Sequence, residues 1–234
     1  MVSLLKLMKL EMRKFRIGSY IRAAIIANVV ILGLFCFISL NAEIKEAMSF
    51  TGYDVAFSLI DTLVRGTYIV FAAVLISRLV IDEFRNKSIT VLFMYPINRK
   101  KLIAAKLLIV ILFTFVADIA ANLFVGVGFY ILNLFASVVT EPFTWSVAYK
   151  SLVTVIMSAL ATSCMSLIPL YFGMRKHSGT TTILSSLIVV LLVCQNVDGF
   201  TLYSVIAVPI GLALIGLAFA YLSIRNIEHV DLLK

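Results

Sequence analysis

The sequence has few charged residues. Asp, Glu, Lys and Arg make up 14% of its 234 residues, against about 25% in a typical soluble domain. Hydrophobic residues make up 62%, and uncharged runs about 20 residues long, the length that spans a bilayer as a helix, recur along the chain. Because backbone polar groups in lipid have to be satisfied within helices, the composition excludes an ordinary soluble domain and predicts an all-α membrane protein.

Cysteine and histidine are also scarce, and they form no catalytic or metal-binding pattern. Cys36, Cys164 and Cys194 each lie inside an apolar run without CxxC or Cys/His spacing, which argues against a disulfide framework or a zinc site. His177 and His229 belong to no H-E-x-x-H pattern, and no nucleophile has an evident base beside it. The chain also lacks G-x-x-x-x-G-K-[ST], the phosphate-binding loop of many ATPases. We therefore expect no enzyme, and no metal or other cofactor bound directly.

Six membrane-spanning helices are predicted. The second apolar window, residues 66–77, is too short to cross alone and has to extend back through Arg65 and Asp61. The predicted spans cover about residues 18–41, 57–81, 102–132, 150–174, 177–197 and 201–225. No internal repeat or flexible linker separates them, so residues 1–234 are predicted to form a single membrane domain.

The Lys and Arg residues are placed unevenly. Most of the 20 lie before the first span, between the second and third, after the fourth and after the sixth, whereas the opposite side has Lys45 and Lys150. Because cytoplasmic loops carry the excess of Lys and Arg, both termini of this cell-membrane protein are predicted to be cytoplasmic. In that position the basic charge meets membrane lipid, and nucleic acid is not an expected partner.

Residues 1–16 have the pattern of a basic amphipathic helix. One helical face holds the apolar residues Leu4, Leu5, Met8, Met12 and Phe15. Such a helix lies along the inner leaflet and is attracted by anionic lipid, but an ordinary positive-inside anchor explains the same charges. A removable signal peptide is not expected, because the apolar run begins only at Ala23 and a clear A-x-A site is lacking.

The longest strongly charged stretch, residues 81–106, lies between the second and third spans. Residues 82–93 contain no helix breaker, while Pro96 disfavours the α conformation at Tyr95, and a new helix can begin near Arg99. The pattern predicts a helix, a break and a second helix, with the first along the cytoplasmic face. A helix of mixed apolar and charged character suits docking into a groove on a partner protein.

This stretch resembles the segment after the second span in ABC-2 type permeases, the membrane subunits of ATP-driven exporters. The family pattern is roughly an acid, a small residue with Ser or Thr, an apolar pair, then Pro, Arg and a later Lys. The matching residues here are Glu83, Ser88, Leu92, Phe93, Pro96, Arg99 and Lys106. Lys87 departs from the pattern, since many members have Gly there. The layout of six spans behind a basic amphipathic N-terminus is similar as well.

The resemblance implies that residues 82–98 contain a coupling helix, which sits in a cleft of a separate ATP-binding subunit and passes its closing motion to the spans. The residues implied in this coupling are Glu83, Arg85, Asn86, Lys87, Ser88, Leu92, Phe93, Pro96 and Arg99. Six spans make half a transporter, so the implied partners are two ATP-binding subunits, which hold ATP and Mg²⁺, and a second permease, identical or paralogous. In the alternative interpretation, the segment only determines topology.

Polar residues inside the spans form a second candidate site. Asp61 and Arg65 are i, i+4 on the second span, and Asp118 lies about 18 Å past the last basic residue of the charged stretch. Ser158 and Thr162 belong to a stripe of hydroxyl residues on the fourth span. These residues line a substrate route, or they form a structural ion pair, Asp61–Arg65 or Arg65–Asp118, with the hydroxyl groups in helix packing. The structural interpretation is favoured.

The resemblance also implies a cargo. The predicted outer loops are short, and compact permeases of this family often move amphipathic peptides, toxins or antibiotics, so we expect a bacterial exporter whose amphipathic or hydrophobic cargo enters from the bilayer. Two other functions stay open. One is an ion-coupled secondary transporter that uses Asp118 or Asp61, and the other is a membrane scaffold or immunity protein that transports nothing.

Overall fold

The described part of the chain is almost entirely helical. A computed structural model describes residues 7–8, 11, 17–40, 52–85, 99–136, 139, 144–194, 196–197, 200–201 and 207–226. The helices are α1 (Ile17–Leu40), α2 (Tyr53–Ile76), α3 (Asp82–Arg85), α4 (Arg99–Ala136), α5 (Trp145–Met165), α6 (Ile168–Lys176), α7 (Gly179–Val193) and α8 (Ala207–Asn226). Two short strands, β1 (Asn196–Val197) and β2 (Phe200–Thr201), form an antiparallel pair between α7 and α8.

Within the residues that the structure describes, five stretches are long and apolar enough to cross a membrane. They are Gly18–Ile38, Tyr53–Arg85, Lys100–Phe135, Trp145–Lys176 and Val208–Arg225. The fifth predicted span corresponds to α7, an apolar helix of 15 residues, which is about 22 Å long at 1.5 Å per residue. The predicted all-α membrane fold is confirmed, and six spans are counted when this shorter helix is included.

A π turn joins α2 to α3 without ending the helical path. Ser77–Ile81 has π geometry, and the backbone N–H of Asp82 bonds to the carbonyl of Ser77 across the widened turn. An inserted residue of this kind rotates the following side chains relative to the preceding helix, and such turns are frequent at functional sites. Glu83 lies two residues after this turn and is 8% exposed.

A break separates α5 from α6. The turn at Ser166 and Leu167 is closed by the Leu167 N–H, which bonds to the Cys164 carbonyl at 3.2 Å. Pro169 lies in the first turn of α6, where its missing N–H leaves no helical bond unmade. At its other end α6 finishes at His177, whose φ of 47° reverses the chain into α7.

The second and third spans form the centre of the bundle, and the first and last are peripheral. In the most apolar window of each span, 56% of the residues of Tyr53–Arg85 and 50% of those of Lys100–Phe135 are buried, against 17% in Gly18–Ile38 and in Val208–Arg225. The exposed surfaces of the peripheral helices are apolar, as expected for side chains that face lipid.

The chain direction brings several helix ends together at one end of the bundle, which we call the basic end. It comprises the start of α1, the π turn with α3, the start of α4, the α6–α7 turn and the end of α8. Exposed cations surround it: Arg22, Arg78, Arg85, Lys101, Arg175, Lys176 and Arg225. The positions of the polar side chains in the bundle are therefore described relative to this end.

Candidate functional site

A group of polar side chains, which we call the core cluster, lies between α2, α4 and α5. It consists of Asp61 and Arg65 of α2, Asp118 of α4, and Ser158 and Thr162 of α5, and each is at most 6% exposed. Residues four apart on a helix share one face. The three helices therefore direct all five side chains away from lipid.

Asp61 and Arg65 form a buried ion pair within α2. The Nη2 of Arg65 donates a hydrogen bond to Oδ2 of Asp61. A buried ion pair offsets its desolvation only when further hydrogen bonds satisfy the remaining polar atoms. Of the two ion pairs that the sequence left open, the structure therefore forms the one within a single helix.

Ser158 links this ion pair to α5. Its hydroxyl donates to Oδ1 of Asp61 at 2.8 Å and accepts from Nη2 of Arg65 at 3.4 Å. Both oxygens of the Asp61 carboxylate thus accept a hydrogen bond, one within α2 and one across the helix interface. Ser158 is a helix-packing residue that satisfies a buried charge.

Asp118 is as buried as Asp61, but its carboxylate is not hydrogen-bonded within the described residues. Its side chain has no exposed surface, and Arg65 is the neighbouring charge that acts on it. Within the described residues neither of its carboxyl oxygens accepts a hydrogen bond, and the same is true of the hydroxyl groups of Thr114 and Thr162. The core cluster therefore has unused hydrogen-bonding capacity on its α4 side.

A second buried charge group, which we call the Lys106 triad, lies at the basic end. The Nζ of Lys106 is 2.5 Å from Oε2 of Glu83 and 3.4 Å from Oε2 of Glu11, and it donates to the Leu79 carbonyl at 3.1 Å. Lys106 is 1% exposed, Glu11 6% and Glu83 8%. The triad thus joins the N-terminal segment, the start of α3 and the first turns of α4.

Two exposed arginines, Arg78 and Arg85, lie on the surface beside the triad. Asp82 lies between two arginines, with Nη1 of Arg78 at 3.7 Å and Nη2 of Arg85 at 3.6 Å, and both arginine side chains are at least 60% exposed. Two residues of α3 that are two positions apart therefore have opposite surroundings, since Glu83 is buried and the Arg85 side chain is 60% exposed.

Part of the predicted coupling segment lies outside the described residues. Glu83 and Arg85 belong to α3, and Arg99 begins α4. The predicted residues outside the described part of the chain are Asn86, Lys87, Ser88, Leu92, Phe93 and Pro96. The predicted helix, break and helix over residues 82–98 stays a prediction, as does the helix over residues 1–16, of which Leu7, Met8 and Glu11 are described.

Glu11 was not predicted, although the sequence contained a signal for it. It is the one acid among the six cations that precede Ala23, and it falls on the apolar face of the N-terminal pattern, between Met8 and Phe15. An acid on the apolar face of a basic helix indicates a buried partner cation. Lys106 was recognised through the family pattern alone.

An apolar groove opens between α1, α2 and α4. Its volume is about 420 Å³, and its wall includes Met8, Ile25, Asn28, Tyr68 and Val116. Ile25 and Val116 are 56% and 63% exposed, so the groove opens on the surface that faces lipid. At its floor the Tyr68 hydroxyl donates to Oδ1 of Asn28 at 2.9 Å, which places a polar amide in an apolar wall.

These features define a helical membrane protein of several spans, with charges buried at its centre and a basic end. The sequence matches the ABC-2 family transporter protein family over residues 7–195, and the chain belongs to this family. It is also 41% identical over 227 residues to YcbO of Bacillus subtilis strain 168, described as an uncharacterized protein, with 97% of this chain and all of YcbO covered. No solved structure matches the chain significantly. It is a multi-pass membrane subunit of the ABC transporter class, whose members work with an ABC ATP-binding partner.

Proposed function

We propose that the chain is the permease subunit of an ATP-driven exporter in a bacterial cell membrane, with both termini in the cytoplasm. The family match over residues 7–195 carries this proposal, and the absence of a P-loop in the sequence agrees with ATP and Mg²⁺ being held elsewhere. The functional complex contains two ATP-binding subunits and two permeases, identical or paralogous.

The coupling segment, residues 82–98, connects the ATP-binding subunit to the spans. The opposite surroundings of Glu83 and Arg85 in α3 support a division of roles. Arg85, 60% exposed beside Asp82, contacts the partner, while Glu83 passes motion inward through Lys106 to α4. The remaining coupling residues, from Asn86 to Arg99, complete the surface that docks on the ATP-binding subunit.

Co-purification tests the assembly. The tagged chain is purified from its native cells in a mild detergent, and the bound proteins are identified by mass spectrometry, beside an Arg85→Ala/Arg99→Ala variant. We expect a P-loop ATPase with the native chain and much less of it with the variant. An intact, folded chain that captures no ATPase would remove the basis of the proposal.

The cargo is an amphipathic peptide, toxin or antibiotic that enters from the bilayer. The groove supports this proposal, because its volume lies in the range of about 300–1,000 Å³ that is usual for ligand sites and its wall is apolar except at Asn28 and Tyr68. A side-chain amide in such a wall can hydrogen-bond a peptide carbonyl that has left water.

Two substitutions of the same kind test the groove. Ala120 lines it and Ala23 does not, and both are exposed. In vesicles that contain the complete transporter and a fluorescent amphipathic peptide, Ala120→Trp should slow ATP-dependent transport several-fold, whereas Ala23→Trp should not. Equal rates for the two variants would place the cargo route elsewhere, and transport that is indifferent to ATP would contradict an ATP-driven exporter.

The core cluster has a structural role in this proposal, as a tie between α2 and α5 beside the transport path. The unused oxygens of Asp118 favour one second candidate, an ion-coupled transporter. Peptide uptake driven by an imposed ion gradient without ATP, and abolished by Asp118→Asn, would select this candidate over the exporter.

A further inference from the structure

The Lys106 triad has more carboxylates than its single cation needs. An ammonium group has three donor hydrogens. Lys106 donates to Oε2 of Glu83 and to the Leu79 carbonyl, while Oε2 of Glu11 lies within ion-pair distance without accepting a hydrogen bond. Glu83 is close, at 2.5 Å, and Glu11 is within ion-pair distance at 3.4 Å. All three charged side chains are at least nine-tenths buried. Lys106 therefore has a principal partner and a second one beside it.

The second partner belongs to a segment that is held against α4. Leu7 and Met8 of the N-terminal segment pack with Leu102, Ala105 and Ile109 in one buried cluster. Met8 packs on α4, and Glu11 lies within ion-pair distance of Lys106 on the same helix. Glu11 thus reaches Lys106 from a segment attached to the same helix.

Glu83, in contrast to Glu11, is connected to the coupling segment. It follows the π turn and begins the coupling segment, so any displacement of that segment by the ATP-binding subunit acts on it directly. Withdrawal of Glu83 would take the nearest carboxylate away from a buried ammonium, which is unfavourable unless another counter-charge stays beside it. Glu11, already 3.4 Å away, provides that counter-charge.

Resting on the proposed function, we propose that Glu11 and Lys106 are positioning residues of the coupling unit. Glu11 retains the Lys106 ammonium when Glu83 moves away with the coupling segment during the ATP cycle. The N-terminal segment is then a working part of the coupling apparatus in addition to a contact with lipid. Through Glu11 it keeps a carboxylate beside Lys106 of α4, both when Glu83 is close and when Glu83 has moved away.

The first experiment measures ATP hydrolysis by the purified complex in lipid nanodiscs, at equal yields of ATP-binding subunit. Glu11→Gln should lower turnover roughly threefold to tenfold, the usual size of effects on coupling, without lowering the yield of complex. Glu11→Asp, which keeps the charge, should retain part of the ATP turnover that Glu11→Gln loses. The control is Asp54→Asn, because Asp54 is an exposed carboxylate that pairs with exposed Lys150 at 3.9 Å, at the opposite end of α2. Normal turnover by Glu11→Gln would overturn the proposal.

A second experiment leaves the triad intact. In a background without the native cysteines, Met8→Cys and Ala105→Cys should form a disulfide cross-link to the same extent in the resting complex and in the complex trapped with ATP and vanadate. Cross-linking that disappears on trapping would mean that the N-terminal segment leaves α4 together with Glu83, and would overturn the proposal. A native chain that captures no ATP-binding subunit would instead remove the proposed function itself, and this inference with it.

Discussion

The core cluster and the Lys106 triad each bury two carboxylates with one cation, but different parts of the chain supply the charges. In the core cluster all the charged groups lie on long helices, Asp61 and Arg65 on α2 and Asp118 on α4. In the triad, Lys106 lies on a long helix, while Glu83 lies in the short α3, where the proposed coupling segment begins, and Glu11 belongs to the N-terminal segment. The same set of charges therefore ties long helices together in one place and, under the proposed function, connects a long helix to the coupling segment in the other.

The comparison separates stability from coupling. Loss of the one cation of the core cluster leaves two carboxylates enclosed by packed helices, so the free energy of unfolding should fall most for that change. Loss of a charge from the triad should affect the response to ATP as well as the unfolding, because two of its members connect to the basic end. Variants of the core cluster should therefore change chiefly the free energy of unfolding, and variants of the triad should change ATP hydrolysis as well.

The largest effect is expected for Arg65→Met. This change leaves Asp61 and Asp118 buried without their cation, and the free energy of unfolding should fall by about 3–5 kcal/mol. Unfolding of the purified chain by SDS in mixed micelles, followed by circular dichroism, measures it. Lys150→Met is the control, since that ammonium is 74% exposed. Similar curves for the two variants would show that the buried pair contributes nothing to the folded state.

A loss at the lower end of that range, about 3 kcal/mol, is expected for Lys106→Met, because Glu11 and Glu83 then stay buried without their cation. Adding Glu11→Gln and Glu83→Gln should restore most of this stability, because no buried charge is then left unpaired, while the ATP hydrolysis of the complex stays low. Recovery of both properties together in the triple variant would mean that the triad acts through stability alone.

Ser158→Ala should cost about 1–3 kcal/mol, because Oδ1 of Asp61 loses its donor while it remains buried. Thr154→Ala on the same helix is the matched control. Thr154 is exposed and its hydroxyl donates to the Lys150 carbonyl of its own helix, so this change should cost less than about 0.5 kcal/mol. The same unfolding titration compares them, and equal losses would contradict the link between α2 and α5.

The smallest effect on stability is expected for Asp118→Asn, a change of less than about 1 kcal/mol. Within the described residues no hydrogen bond to its carboxyl oxygens is lost, and the amide has nearly the same volume. ATP-driven transport of the fluorescent peptide should continue in vesicles. A large loss of stability would instead assign the carboxylate a structural partner, and loss of gradient-driven transport would assign it a role in ion coupling.

Much of the fold could be predicted because its causes are local. Long apolar runs require helices in lipid, and the i, i+4 spacing of Asp61 and Arg65 places them on one face. Their ion pair was accordingly one of two pairings that the sequence allowed. The π turn at Ser77–Ile81 was not predicted, because an inserted residue leaves no mark in a continuous apolar run.

The sequence by itself determined that this protein is a helical membrane protein with a basic side, since hydrophobicity and charge are properties of each segment. Only the tertiary structure decided which buried charges meet. Ser158 reaches Asp61 and Lys106 reaches Glu11 across long stretches of chain, because packing of whole helices brings their faces together. Buried charges interact strongly in a low-dielectric interior, and for Lys106 and for Oδ1 of Asp61 the partner lies on another segment of the chain.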